Sequence, residues 1–255
     1  MTTGMILTVV FTLFAYAFTI LGSAAVFFFG RLCSDAFHRL ILGFASGVMT
    51  AAAVWSLLLP SYDQAEALGQ NGLLVSVGGL ILGGLILLIS ERMILRFSSK
   101  GNITRRSRTL FLAMTLHNIP EGMAMGLAFA SLSGVADPMF APAAALAFGI
   151  ALQNLPEGMA VSVPLQKEGR SRKSAFLMGV LSGAVEPVSG MVAVLIAASL
   201  VQVVPLLLAF AAGAMIYAVF FELLPGALGE KLPFWGVLGI LCGFLPMMFL
   251  ELFLA

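Results

Sequence analysis

Charge is what this sequence has least of. Only 10% of its 255 residues are Asp, Glu, Lys or Arg, where a soluble domain of that length carries about 25%. Cysteine is nearly absent as well. Cys33 and Cys242 lie far apart with no CxxC spacing, which excludes a disulfide framework and a zinc knuckle. No HExxH is present, because His117 is followed by Asn and the position four residues on is Glu. No Ser/His or paired-Asp nucleophile arrangement is visible either, which argues against an intramembrane hydrolase. No basic stretch carries the aromatic interleaving of a nucleic-acid binder, and the net charge of +1 points to no partner.

What the chain has is apolar length. Residues are 60% hydrophobic, mean hydropathy is +1.07, and apolar runs of 18 or more residues recur from end to end, each able to cross a roughly 30 Å hydrocarbon core. The expected fold is an all-α integral membrane protein, a single polytopic domain over 1–255. Eight spans are predicted at about 5–29, 39–62, 72–95, 108–132, 140–165, 174–200, 203–226 and 233–254. The first run is too long for a signal-peptide core and reads as a span. Polar or Gly/Pro-rich punctuation separates them, least distinctly around Gln202 and Pro205.

All 13 Lys and Arg fall on odd-numbered loops or their flanks. Arg31 and Arg39 border the first, and Arg92, Arg96, Lys100, Arg105, Arg106 and Arg108 border the third, whose basic stretch runs 96–107. Lys167, Arg170, Arg172 and Lys173 lie in the fifth, and Lys231 in the seventh. Even loops carry Asp63, Glu66 and Asp137 and no basic residue. By the positive-inside rule the odd loops are cytoplasmic and both termini extracytoplasmic.

The sequence also repeats itself. His117-Asn118-Ile119-Pro120-Glu121-Gly122-Met123-Ala124 recurs as Gln153-Asn154-Leu155-Pro156-Glu157-Gly158-Met159-Ala160, with six of eight positions identical at an offset of 154 − 118 = 36. A weaker pair matches Ala45-Ser46-Gly47-Val48-Met49 and Leu57-Leu58-Leu59-Pro60 with Ala211-Ala212-Gly213-Ala214-Met215 and Leu223-Leu224-Pro225. Each pair lies on spans of opposite direction. Inverted repeats are a recurring transporter design with the substrate site at the repeat interface.

Glu121, Glu157, Glu186 and Glu222 fall inside predicted spans, the first three near mid-span. An acidic residue at a helix centre costs about 2.5–3.5 kcal/mol on insertion scales, so three unpaired ones cost on the order of 10 kcal/mol. No Lys or Arg lies at that depth. The carboxyls are therefore protonated, surround water or bind cations. Helical spacing favours cations: His117, Asn118 and Glu121 share one face, and Gln153, Asn154 and Glu157 repeat it. Pro120 and Pro156 leave carbonyl oxygens free four residues back, and Gly122 and Gly158 permit close backbone approach. Imidazole with oxygen ligands suits Zn, Fe, Mn or Cd, while the absence of thiolate argues against Cu(I). Glu222, toward the cytoplasmic end of its span, reads equally as an interfacial carboxylate or an exit-route ligand. The pairs Gly43/Gly47, Gly79/Gly83, Gly179/Gly183 and Gly239/Gly243 read as close helix packing.

His117-Asn118-x-Pro120-Glu121-Gly122, Gln153-Asn154-x-Pro156-Glu157-Gly158 and Glu186-Pro187-x-x-Gly190 resemble the metal-binding motifs of the ZIP (zinc-regulated, iron-regulated transporter-like) family, in particular its bacterial GufA-type branch. The resemblance covers essentially the whole chain. It implies uptake of Zn²⁺ or a related divalent ion into the cytoplasm and a binuclear centre. His117, Glu121, Gln153 and Glu157 would make the first site and Asn118, Asn154 and Glu186 the second, with Glu121 and Glu157 bridging. It also implies an elevator-like movement of the first, fourth, fifth and sixth spans against the other four. The third loop lacks the histidines of many relatives, and Phe221 stands where some have a histidine before the seventh-span glutamate. Asn154 replaces an Asp of some relatives. Three glutamates supply −3, so two divalent ions would leave +1 and one would leave −1, and the second ion is expected to bind weakly.

The expected protein is thus a metal transporter of the inner (plasma) membrane, not an enzyme, with divalent metal ions and membrane lipids as partners and no nucleic acid. No organic cofactor is expected, and a homodimer is left open. A proton- or sodium-coupled carrier of another substrate, using the same glutamates, is the rival reading.

Overall fold

A computed structural model describes residues 2–28, 34–97, 103–229 and 233–254, and their side chains except at 94, 95, 97, 103–110, 113, 233 and 254. Arg31, Cys33, Lys231 and much of the basic 96–107 loop lie outside the described residues, as do the side chains of Arg105, Arg106 and Arg108. All regular structure among the described residues is helical: α1 (Thr3–Phe28), α2 (Asp35–Ala52), α3 (Leu59–Ala67), α4 (Gly72–Phe97), α5 (Ile103–Phe129), α6 (Phe140–Lys167), α7 (Arg172–Gly183), α8 (Val185–Ser199), α9 (Val204–Ala218), α10 (Leu224–Leu228) and α11 (Pro233–Leu254).

Two of these joins are not turns. A π-helical segment, Ala53–Leu58, carries α2 into α3, and another, Val219–Leu223, carries α9 into α10. Both sit just before a proline, Pro60 and Pro225, at the start of the following helix. A proline ring clashes with the carbonyl four residues back, and a widened turn accommodates it without ending the rod. The weaker sequence repeat therefore has a matching irregularity in both copies. Gly69 and Gly169 close α3 and α6 at φ of +73° and +97°, a region that favours glycine.

Six helical stretches among the described residues are long and apolar enough to cross a membrane: Thr3–Phe28, Asp35–Ala67, Gly72–Met93, Arg172–Ser199, Val201–Leu228 and Phe234–Phe253. α5 and α6, of 27 and 28 residues, match them in length but carry the polar motifs. The outer faces of α1, α4 and α11 expose large apolar side chains such as Leu21, Leu74 and Phe249.

The most extensive packing joins α2 to α11, α1 to α6, α4 to α9 and α5 to α8. Glycines make these approaches. A Cβ on Gly47 would lie 2.2 Å from Ile240 O, and one on Gly83 would lie 2.0 Å from Phe210 O. Gly239 and Gly243 meet the carbonyls of Leu40 and Phe44 in the same way. The small-residue pairs thus serve close packing, where backbones approach and dispersion contacts replace side chains. Exchanging α1 with α7–α8, α2–α3 with α9–α10, α4 with α11 and α5 with α6 maps each of these close pairs onto another. Contacts also divide the molecule: α1, α5, α6, α7 and α8 form one unit, and α2, α3, α4, α9, α10 and α11 the other. One continuous buried apolar cluster holds residues of both units, among them Ala51, Ala147, Ala211, Phe129, Leu146 and Ile150.

Candidate metal centre

The polar motifs meet in the interior. His117, Asn118 and Glu121 come from α5, Gln153, Asn154 and Glu157 from α6, and Glu186 from the first turn of α8, all of them buried. Gly122 sits against Glu186 O, where a Cβ would come within 2.3 Å, and Gly158 sits equally close to Thr19 O. The glycine after each motif glutamate therefore lets α8 and α1 press against the polar faces.

Helix α8 begins only because the expected sixth span breaks. α7 ends at Gly183, α8 starts at Val185, and Ala184 N reaches back to Leu181 O at 3.4 Å. Pro187, which has no N–H, cannot continue an unbroken ladder back to Gly183. The break leaves Ser182 O to accept from Asn118 Nδ2 at 2.9 Å.

His117 Nε2 lies 3.6 Å from Glu121 Oε1 and 3.5 Å from Glu157 Oε1, and its Nδ1 lies 3.6 Å from Glu222 Oε2. Glu222 projects from the second π-helical segment. Ligand atoms of His117, Glu121 and Glu157 all fall within 4.8 Å of one another, a spacing that one metal ion can span. Gln153 Nε2 donates to Glu121 Oε1, and Asn154 Nδ2 donates to both oxygens of Glu186 at 2.9 Å. Buried atoms left without a hydrogen-bond partner include both His117 nitrogens, Glu121 Oε2, both Glu157 oxygens, Gln153 Oε1, Glu222 Oε2 and the Oδ1 atoms of Asn118 and Asn154. Buried polar groups are ordinarily paired. A buried cluster this rich in unpartnered carboxylate and amide oxygens calls for a cation.

A family model described as ZIP zinc transporter matches residues 98–251. The chain belongs to the ZIP family. Zinc transporter ZIP11 of Xenopus tropicalis is 31% identical over 325 aligned positions covering 94% of this chain and 95% of that protein. Zinc transporter GufA of Myxococcus xanthus is 32% identical over 221 positions covering 83% and 85%. Zinc transporter ZIPB of Bordetella bronchiseptica is 33% identical over 222 positions covering 83% and 70%. The likeness to GufA places this ZIP protein in the GufA-type branch. It is accordingly a multi-pass membrane transporter of divalent metal, not an enzyme.

Two carboxylates of this ZIP chain escaped the reading of its sequence. Glu251 of α11 is buried and accepts from Ser56 Oγ in the first π-helical segment. Glu91 of α4 accepts from Tyr217 OH of α9. A signal for both was present: each stands eight residues after the second glycine of a small-residue pair, 91 − 83 and 251 − 243. Thr19, whose Oγ1 lies 3.4 Å from Glu186 Oε1, was missed too. Nothing marks one threonine among the hydroxyls of an apolar helix.

Proposed function

We propose that this protein carries divalent metal ions, Zn²⁺ foremost with Fe²⁺, Mn²⁺ and Cd²⁺ as related cargo, across the inner membrane into the cytoplasm, and that His117, Glu121 and Glu157 grip the ion. The observation that carries this reading is the buried cluster of one imidazole and two carboxylates, whose ligand atoms lie within 4.8 Å of one another and are left mostly without hydrogen-bond partners. Imidazole and carboxylate together suit borderline divalent ions, and an ion desolvated at that depth needs anionic ligands to offset the loss of hydration. Gln153, through its unpartnered Oε1, supplies a neutral oxygen beside it. The rival cargo, a proton- or sodium-coupled organic substrate, gives no reason for His117 to face two carboxylates from one edge.

In this reading all eight long helical stretches cross the membrane, α5 and α6 included, because their polar faces turn inward. The segregation of basic residues supports cytoplasmic odd loops and extracytoplasmic termini. The division into two packed units supports an elevator-type movement of α1, α5, α6, α7 and α8 against the rest. Glu222, on the far side of His117 and on the other unit, is suited to receive the ion on its way out.

The test is metal flux in proteoliposomes. Glu157→Ala is expected to reduce uptake of Zn²⁺ to near background while circular dichroism and gel-filtration profile stay unchanged. Undiminished flux in a folded variant would sink the proposal.

A further inference from the structure

The buried carboxylates are not all in the same condition. Glu121, Glu157 and Glu222 each keep at least one oxygen without a hydrogen-bond partner, whereas neither oxygen of Glu186 is left over. Asn154 Nδ2 donates to Glu186 Oε1 and Oε2 at 2.9 Å each, and Thr19 Oγ1 adds a donor to Oε1 at 3.4 Å. The same Asn154 nitrogen lies 3.2 Å from Ala15 O, which fixes the direction of its amide. Glu186 is thereby tied to α1 and α6 as well as to its own helix.

We propose that this chain holds one ion at a time, and that the Asn154 amide takes the place of a second ion, making Glu186 a positioning residue rather than a ligand. The inference rests on the metal site formed by His117, Glu121 and Glu157. Beyond the carboxylates that grip the first ion, Glu121 and Glu157, the unpartnered motif oxygens left for a second ion are amide ones, the Oδ1 atoms of Asn118 and Asn154, both neutral. A divalent ion out of water needs carboxylate ligands, and the carboxylate beside these amides already has its oxygens engaged. Glu186 instead locks α8 against α1 and α6, which holds Asn154 and the adjoining turn that presents Glu157. Orientation of ligands through such hydrogen-bonded neighbours is a general property of metal sites.

The decisive change is Asn154→Asp. It deletes the donor that serves both Glu186 oxygens and sets a second carboxylate at hydrogen-bond distance from the first. Two facing ionised carboxylates repel one another unless a cation or a shared proton lies between them, and excess Cd²⁺ competes with the proton for that place. The full-length protein in detergent is equilibrated with Cd²⁺, freed of loose metal, and its metal-to-protein ratio measured by elemental mass spectrometry. The wild type is expected to retain one ion, Asn154→Asp two, and Glu186→Gln one. Two ions on the wild type overturn the inference while leaving the transport reading intact. One ion on a folded Asn154→Asp, or none on a folded Glu186→Gln, also overturns it. No ion on the wild type overturns both.

Discussion

Gln153 Nε2 donates to Glu121 Oε1, so a single hydrogen bond joins the two copies of the repeated motif across α5 and α6. The first position of the motif is His in one copy and Gln in the other, and the two sit differently: the imidazole faces both carboxylates, while the amide donates to one of them and, in the proposed site, steers it. Removing a residue that orients a metal ligand generally weakens metal affinity or activity 10–100-fold. Gln153→Leu is therefore expected to raise the KM for Zn²⁺ uptake by about tenfold or more, with the protein still folded. A KM equal to that of the wild type would show that Glu121 needs no such restraint.

Helix α4 offers an internal comparison of what its glycines do. A Cβ at Gly83 would lie 2.0 Å from Phe210 O on α9, whereas one at Gly78 would meet nothing within 4 Å. Gly83→Ala is expected to destabilise by about 1–3 kcal/mol through overpacking. Gly78→Ala should stabilise by about 0.5–1 kcal/mol, since alanine costs a helix less backbone entropy. Thermal unfolding in detergent reads both, and midpoints moving in the same direction would refute the packing argument.

These glycines also show what was legible in the sequence. Their spacing predicted close helix contacts, and the duplicated motifs predicted the polar faces that α5 and α6 bury. Both signals are local, since residues three or four apart on one helix share a face whatever the rest of the chain does. The partner of each contact was not legible. That Asn118 binds Ser182 O, and that Asn154 saturates Glu186, depends on where α7 breaks and how α1 lies across α6, which are matters of tertiary packing. The π-helical segments were hidden for a related reason: Pro60 and Pro225 read as the ends of the two copies of the weaker repeat, and only the packed structure shows the rods running on through them.

Ser56 and Glu251 link the first π-helical segment to α11, and Tyr217 and Glu91 link α9 to α4. The exchange that relates the two repeats carries α4 to α11, so the two carboxylates occupy corresponding places. Each is expected to stabilise its helix pair. Leaving a buried acceptor unsatisfied costs about 1–3 kcal/mol, so Ser56→Ala should lower the thermal midpoint while Ser199→Ala, an exposed hydroxyl bonded within its own helix to Leu195 O, should not. Equal midpoints for the two variants would show that the Ser56 contact contributes nothing measurable.

Asp137 organises the turn between α5 and α6. Its Oδ1 accepts from Met139 N at 3.0 Å, and its Oδ2 accepts from Ser133 N at 3.2 Å and Ser133 Oγ at 3.1 Å. The Met139 N–H, followed by the Ser133 N–H, holds this carboxyl below the usual aspartate value. A pKa lower in the folded state than in the unfolded one means that the unfolded state takes up the proton first. The stabilising contribution is therefore fully present above the unfolded value of about 3.9. It is lost as pH falls through the lowered folded value. The amide protons of Ser133 and Met139 should accordingly lose protection from exchange only in the acidic range below about pH 4, and Asp137→Asn should remove that dependence. Protection in the wild type that is unchanged down to pH values where the carboxyl is protonated would show that the charge plays no part in holding the turn.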